Sequence, residues 1–581
     1  MFKVQDIDTI SKGISLDGSY KIEHLGIVAA TMNKLKLIER IDKLIPLTGN
    51  KNSSIGQRTG ALILNGLGFI NTRMYLFPKF LANKPIDLLL GSEKLTADVF
   101  NDDSLGRCLD KIHEYGTTKL FAELSLPIAL EYGIALNKAN FDTTSISVYG
   151  QYNIDGMKER EVVELSKPNK IKHTTDLEER DIELTDCAKP EYGHAKNKRF
   201  DLKQMTLVLA TNGANGLPLW MESHSGNASD QKTLEEAAQR MQKFCKELEN
   251  APSLMFVGDS AMYANCVKKG TNLLWLSRVP EKINLARSLL HRDNIIWNEL
   301  EDGYKIYTEL VTYRDVEQRW ALIFSQHAYD KEIETLNKNI SKEFKELTLL
   351  LKHLKHNKYG CIKDANKEIS EINKKLKYHI LNTEIILEYQ YEGKGRPSKN
   401  QEPIGHAYKI TAIILQNTDE IERIKLHKGK FILATNQLDV NTLPDNKLLS
   451  TYKEQSGTEK GFKFIKNNAF EIDSVFLKKP ERIDALLMIM VLCLMVYSYA
   501  QFFLHNELDE NNDTIPSQVN KPTKKPSMKW IYELLDGVVI VKIIINNELR
   551  HIVLNLSDTL RKIIRHFGYF ACRIYGVSYK I

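Results

Sequence analysis

Three acidic residues, each placed where an apolar stretch ends or a helix begins, carry the chemistry open to this sequence. Asp142 stands in NFDTTS, Asp259 in MFVGDSAMY, and Glu459 in YKEQSGTEKGFKFIK, the stretch from Tyr452 to Lys466. A carboxylate inside or closing a buried strand is costly to desolvate unless it is paired or bound to a cation. Two such strands raise a metal site. Carboxylate oxygens suit hard ions, Mg²⁺ or Mn²⁺, which keep waters and bind substrate phosphates. Two ions about 3.5–4 Å apart would clamp the attacking and leaving oxygens of an in-line phosphoryl displacement. Taken one at a time, the same acids also read as helix caps or hydrogen-bonded strand ends.

If the third stretch is helical, Tyr452, Gln455, Glu459 and Lys466 fall within an arc of about 60°. Gly457 and Gly461 project from roughly the opposite side. Each costs roughly 1 kcal/mol against alanine in a helix interior, which predicts the close approach of another backbone. Without the other two acids, this is a solvated amphipathic helix. Upstream, HAKNKRFDLKQ sets His194, Lys196, Lys198, Arg199 and Lys203 before an apolar run. Such a cluster would neutralise phosphates with little base specificity, and its plainer reading is a solvated loop. Trp220, Trp275 and Trp320 lie in apolar strands and are expected in the core rather than as base-stacking platforms. His224 and His406 lack neighbours at metal-ligand spacing and are expected to be structural.

The elements that must position the acids form an α/β order. KANFDTTSISVYG reads as a strand, and a polar excursion follows to about Phe200. KQMTLVLATNG and LPLWMESHSG then form a hairpin through Asn215-Gly216, the strongest short hairpin signal. A helix over 233–250 and the strands LMFVGDSAMY and NLLWLSRV complete a mixed sheet. Residues 1–130 read as short helices, such as 54–67 and 103–123, forming either a packing or dimerisation domain or a helix-turn-helix DNA-binding module.

Beyond 298 the order changes. YKIYTELVTY and RWALIFS read as paired strands, 330–356 and 362–381 as an antiparallel helical hairpin, GKGRPSKN as a basic turn, and HAYKITAIILQ and KFILATN as strands. Residues 485–503 are apolar enough to span a bilayer. Ser498 and Gln501 interrupt the end of that run, and burial as a central helix is the favoured reading. Residues 506–527 read as a linker, followed by a helix near Trp530, a hairpin turning at Asn546-Asn547 and a closing helix from Asp558. The expected divisions are a helical region 1–130, a core 131–298 resumed at 429–505, an insertion 299–428 and a small α+β region 506–581.

The chain of 581 residues is long enough for roughly three to five domains. With 80 basic against 74 acidic residues the net charge is +6, so an anionic partner must be met by local patches. Seven scattered cysteines without a CxxC pair argue against zinc and against a disulfide framework, and point to a reducing compartment. The first residues show no signal-peptide pattern, and the expected location is the cytoplasm.

FDTTS around Asp142, VGDSAMY around Asp259 and the spacing Tyr452-x2-Gln455-x3-Glu459-x6-Lys466 together resemble the three acidic regions of DDE transposases. The likeness is to the IS-four group of bacterial insertion-sequence enzymes and their relatives with a YREK helix. It extends through WLSRVP at 275–280, KFILATN at 430–436 and LKKPERI at 477–483. This resemblance implies an RNase H-like core interrupted by an insertion, with about 200 residues between Asp259 and Glu459 leaving room for it. It implies that Asp142, Asp259 and Glu459 hold two metal ions for cleavage of an element end and transfer of its 3′-hydroxyl to target DNA. Tyr452 and Lys466 are implied to contact phosphates of double-stranded DNA, and the partner DNA to be bound by a homodimer. Gln455 stands where the resembled helix carries Arg, so a neutral amide replaces a charged bidentate clamp, and passage through a hairpin DNA end is left open. Alternative readings are a related nuclease without strand transfer and a binding-only descendant.

Overall fold

The computed structural model describes residues 14–47, 52–68, 74–148, 188–193, 199–213, 215–247, 254–267, 273–393, 398–466, 477, 479–545 and 548–579. Among the described residues, strand β1 (Ile14–Lys21) comes first, followed by α1 (Leu25–Lys34), α2 (Leu37–Leu44), α3 (Ile55–Leu67), α4 (Phe77–Ala82), α5 (Ile86–Leu90), α6 (Asp102–Tyr115) and α7 (Thr117–Glu131). Ser54 and Gln57 form a reciprocal capping box that starts α3. Gly116, at φ 101°, breaks the helix expected over 103–123 into α6 and α7.

Next come β2 (Lys138–Val148), β3 (Lys203–Asn212), β4 (Leu217–Ser225), α8 (Asp230–Lys246), β5 (Met255–Gly258), α9 (Ser260–Cys266) and β6 (Leu274–Arg278). They are followed by α10 (Asn284–Leu290), β7 (Asn298–Glu299), β8 (Tyr304–Tyr313), β9 (Val316–Ser325), α11 (Gln326–Leu354) and α12 (Ile362–Asn373). The chain continues through β10 (His379–Gln390), β11 (Gly405–Gln416), α13 (Thr418–Leu426), β12 (Lys430–Thr435), α14 (Asp445–Lys453), α15 (Ser456–Ile465) and α16 (Pro480–Glu510). It closes with the short pair β13 (Ile515–Pro516) and β14 (Pro522–Thr523), then α17 (Met528–Leu534), β15 (Val539–Ile545), β16 (Glu548–Leu554), α18 (Asp558–His566) and α19 (Tyr569–Ile574).

These elements form two compact units, Met1–Leu276 with Ser450–Ile581, and Ser277–Leu449. In the first, the strand order β4-β3-β2-β5-β6 is mixed: β2 pairs antiparallel with β3 and parallel with β5. Hairpin β3–β4 turns where expected, with Gly213 and Gly216 both at positive φ. The apolar segment 485–503 lies within α16, whose most apolar window is 94% buried. It is apolar all round because α1, α3, α6, α7, α15 and β4 surround it. Its few polar groups are matched: Asp484 meets His113 at 2.9 Å and Thr117 at 3.0 Å, and Arg482 grips Asp110 through two bonds of 2.7 Å.

β1 corrects the reading of the chain's start as helices alone. It pairs antiparallel with β15, so the first and last parts of the chain share the sheet β1-β15-β16. Gly18 and the polar residues around it mask the strand pattern in sequence, and the partner lies more than 500 residues away. The hairpin β15–β16 is present, while its Asn546-Asn547 turn lies outside the described residues.

The second unit holds the order β12-β9-β8-β7, with β8–β9 as the expected hairpin. Here α12 ends at Asn373 rather than near Leu381, because His379 begins a strand that pairs over twelve residues with β11. Lysines drawn out on either side of Leu376 resemble a helix face in sequence. The tertiary pairing of β10 overrides that local preference. Leu347 and Leu354 of α11, Ala365 and Ile372 of α12, and Leu381 and Ile410 of the strand pair form the local core.

Candidate active site

β2 and β5 run parallel, with Lys138 opposite Met255, Ala139 opposite Phe256 and Asn140 opposite Val257. Two residues further along stand Asp142 on β2 and Asp259 just past β5. Residues in phase on parallel strands face the same side, so the register brings both aspartates to one face at the level where β5 ends. Asp142 is half-buried and accepts a hydrogen bond from the Thr143 N–H at 2.7 Å. Asp259 is exposed and caps α9, accepting from the Ala261 N–H at 2.9 Å. The cap reading of Asp259 is thus what the structure shows.

Glu459 arrives on α15, which lies against β2, β3, β4 and α16. The helix buries Gly457, Thr458, Gly461, Phe462 and Ile465. The Thr458 hydroxyl donates to the Asn140 carbonyl at 3.1 Å and lies 2.6 Å from the Thr211 hydroxyl. A Cβ on Gly457 would stand 2.6 Å from the Gly213 carbonyl oxygen and 2.9 Å from the Gly216 Cα, so this glycine does admit the β3–β4 turn backbone. At Gly461 the neighbours are side chains instead, Leu494 at 3.0 Å and Leu209 at 3.3 Å. Leu209 is the cross-strand partner of Asp142. Paired residues share a face, so Asp142 stands on the side of the sheet that α15 covers. Glu459 follows Thr458 directly, exposed on the flank of the helix, and makes no ion pair among the described residues.

The stretch from Tyr452 to Lys466 is not one helix, which corrects the single arc expected for it. Glu454 and Gln455 form a tight link between α14 and α15, with Gln455 N–H bonded to Tyr452, Gly457 N–H to Glu454 and Thr458 N–H to Gln455, all at i−3 spacing. Glu454 is held there by Lys138, the first residue of β2, at 2.8 and 2.9 Å. Tyr452 is half-buried on α14, Gln455 occupies the N-cap of α15 without a side-chain cap bond, and Lys466 is the exposed C-cap.

Of the upstream basic cluster, the structure describes Arg199 and Lys203. His194, Lys196 and Lys198 lie outside the described residues. Arg199 makes two 2.8 Å bonds to Asp201, and the Lys203 ammonium lies 5.9 Å from the Tyr192 ring centre. Lys203 pairs with Val148, six residues beyond Asp142 and thus roughly 20 Å along the strand. Trp220, Trp275 and Trp320 are fully buried, as expected of core residues. His224 contacts Glu222 at 2.9 Å, a carboxylate also held by Arg240 at 2.9 and 2.6 Å and by the Trp220 N–H at 3.0 Å. Sequence reading missed this cluster, as it missed Thr458, Thr211 and Lys138. The run GTEK, a small polar residue beside the acid, is the one signal that pointed to Thr458.

Among the described residues, no three His, Cys, Asp or Glu side chains stand close enough together to hold a metal ion. The three carboxylates suit a hard divalent ion by donor type, and among the described residues they are not grouped closely enough to hold one.

The mixed sheet thus sets Asp142 and Asp259 on one face, with the helix that carries Glu459 laid over that face. Residues 142–496 match the family described as a transposase DDE domain, more than half of the chain, and the protein belongs to that family. Residues 18–126 match a domain of unknown function, DUF4277. No curated protein sequence matches the chain. Among solved structures, the chain is similar to the cryo-EM structure of a piggyBac transposase synaptic complex with hairpin DNA, at 8% identity and a TM-score of 0.33, over 85% of this chain and 78% of that one.

Proposed function

We propose that this protein is a DNA transposase that binds the ends of an insertion sequence, cleaves them and joins their 3′-hydroxyl ends to target DNA. The observation that carries this reading is the shared face: β2 and β5 set Asp142 and Asp259 in register, and α15 covers that face with Glu459 on its flank. On this reading the β2–β5 sheet with its helices is an RNase H-like core, and 299–428 is the insertion.

Asp142, Asp259 and Glu459 would hold Mg²⁺ or Mn²⁺, two ions per site. When bound, such ions supply positive charge at the attacking and leaving oxygens of an in-line displacement. The chain's own part is positioning. Asp142 and Asp259 are oriented by backbone N–H groups on rigid elements, and Thr458 sets the depth of the helix that carries Glu459. Tyr452, Gln455 and Lys466 would meet DNA phosphates, with Gln455 offering neutral hydrogen bonds rather than a charge. Lys196, Lys198, Arg199 and Lys203 would track the duplex further from the reacting bond. The functional form is a homodimer on paired ends, in the bacterial cytoplasm.

The test is incubation with a pre-cut element end, Mg²⁺ and a plasmid target. Covalent joining of the end to the plasmid is the expected result. Cutting of an uncut end without joining would replace this reading with a nuclease.

A further inference from the structure

Positive charge is unevenly placed along the chain. Residues 521–581 hold eleven lysines and arginines against four aspartates and glutamates, a surplus of seven, whereas the whole chain has a net charge of +6. The first 520 residues together therefore carry no positive surplus, and the excess resides in this closing region. Part of it is engaged by the fold. Lys542 is buried against Asp87 at 2.9 Å, Lys562 meets Asp513 at 2.6 Å, and Lys529 and Arg550 reach Glu533 and Glu548.

Three arginines are left over. Leu560, Ile563 and Ile564 form the buried face of α18, so helical spacing sets Arg561 and Arg565 on its outer face, one turn apart. Gly568, at φ 88°, separates α18 from α19, where Arg573 is exposed one turn beyond Tyr569. Among the described residues none of the three makes an ion pair, and Arg565 gives only its Nε hydrogen, to the Ser578 carbonyl at 3.3 Å. That bond brings Tyr579, the next residue, near Arg565. The Tyr579 and Tyr569 rings meet edge to face with centres 6.2 Å apart. They are 44% and 67% exposed, and their hydroxyls have no hydrogen-bond partner among the described residues.

Arg561, Arg565, the tyrosine pair and Arg573 thus form a strip of unspent donors. Arginine and tyrosine are groups that hold phosphate oxygens of a duplex without reading its sequence. A row of cations suits a polyanion whose charge repeats along a line, as that of DNA does. The apolar face of α18 is committed to the core against α16, so the strip offers charge and hydroxyls rather than a wedge for lipid. It also stands apart from the acids. α15 meets α16 at Leu494, while α18 is tied to Asp513, past the end of α16 at Glu510, and the helix rises about 24 Å between Leu494 and Glu510.

We propose that the outer faces of α18 and α19 are a DNA-backbone-binding surface, in which Arg561, Arg565 and Arg573 and the hydroxyls of Tyr569 and Tyr579 hold phosphates of a duplex at a distance from the acids. The inference rests on the reading of DNA as this protein's partner, and not on the reading of the acids as metal ligands.

The experiment is fluorescence anisotropy of a labelled duplex of arbitrary sequence with the full-length protein in EDTA, across a KCl titration. The variants are Arg561→Gln/Arg565→Gln/Arg573→Gln, Arg573→Gln alone, and the control Lys331→Gln/Lys345→Gln/Lys352→Gln, which removes the same charge from exposed positions of α11. The triple arginine variant should weaken binding at about 0.1 M KCl by on the order of 10²-fold and flatten the salt dependence by about 0.9 per arginine, with the control near wild type. Should that variant fail to fold, as thermal unfolding will show, Arg573→Gln must flatten the slope by about 0.9 on its own. Arginine variants that keep the wild-type affinity and slope overturn this inference alone. So does a control that loses as much as they do, since binding then follows total charge. Unchanged duplex binding with lost binding to phosphatidylserine vesicles would assign the strip to a membrane and overturn it as well. A wild-type protein that binds no duplex at low salt overturns the DNA reading, and this inference with it.

Discussion

Glu222 and Glu459 belong to the same unit of the protein, and their surroundings treat the same carboxylate in opposite ways. Glu222, on β4, is 4% exposed and accepts from Arg240, His224 and the Trp220 indole. Glu459, on α15, is exposed and makes no ion pair among the described residues. Burial pushes the Glu222 carboxyl up, and the bonds from Arg240 and His224 outweigh it, holding the group below the usual glutamate value. Every acceptor site of Glu222 is therefore committed to the fold, whereas no ion pair engages Glu459 among the described residues. A buried acid with a full set of donors stabilises the fold, and an exposed acid beside a buried anchor such as Thr458 leaves the fold little changed when it is removed.

The largest expected effect breaks the comparison on the Glu459 side. Replacing Asp142, Asp259 or Glu459 by alanine should lower DNA cleavage and strand transfer by on the order of 10³-fold, since metal charge at a phosphoryl transition state is worth several kcal/mol. End binding in a gel-shift assay should survive, and Glu459→Ala should change stability by no more than about 0.5 kcal/mol, as a surface substitution does. Normal strand transfer by any one of these variants would remove that residue from the site.

Glu222→Ala should do the reverse. Breaking a buried ion pair from one side costs about 3–5 kcal/mol, and the 26% exposure of the Arg240 side chain places this one near the lower end. The loss should appear in denaturant unfolding, with cleavage per folded molecule retained. The pH dependence follows from the depressed carboxyl. Its stabilisation is fully present above the unfolded glutamate value of about 4.3 and is lost as pH falls through the folded one. Glu222→Gln should therefore flatten that part of the acid limb.

The two glycines of α15 give a smaller and more local contrast. Gly457→Ala drives a methyl into the backbone of the β3–β4 turn, and overpacking of this kind costs about 1–3 kcal/mol. Gly461→Ala meets only the ends of Leu494 and Leu209, which can yield, and the gain in helix propensity of about 1 kcal/mol offsets the crowding. Equal losses in the two variants would mean that α15 is seated by its whole face rather than by the glycine turn.

How much of this could be read in advance depends on the range of the cause. The strands around Asp142 and Asp259 and the hairpin through Asn215-Gly216 were legible because period-2 burial and turn chemistry are written within a dozen residues. The glycine face of α15 was legible as a demand for close approach, though not which backbone would answer it. The break at Glu454-Gln455 was hidden, and the residue that meets it, Lys138, lies more than 300 residues earlier. Strand β1 and the early end of α12 were also hidden, each decided by a pairing partner distant in sequence. The Glu222 cluster was invisible because a strand residue and a helix residue 18 positions apart carry no local sign of meeting.

The Lys138–Glu454 pair tests whether the entry to α15 is a rigid part of the site or only a fastening. Both side chains are about one-quarter exposed, so the pair is neither free in solvent nor deeply buried. Pairs of that kind are worth about 0.2–1 kcal/mol and weaken with salt. A double-mutant cycle with Lys138→Met and Glu454→Gln should give a coupling no larger than about 1 kcal/mol in denaturant unfolding. The pair joins the first residue of β2 to the link before α15, so its loss loosens the helix that carries Glu459 while leaving the register of Asp142 and Asp259 intact. Each single variant should accordingly raise the metal concentration needed for cleavage more than it lowers stability. A coupling well above 1 kcal/mol that 0.5 M salt does not reduce would instead make this pair part of the buried frame, closer in kind to Glu222 than to Glu459.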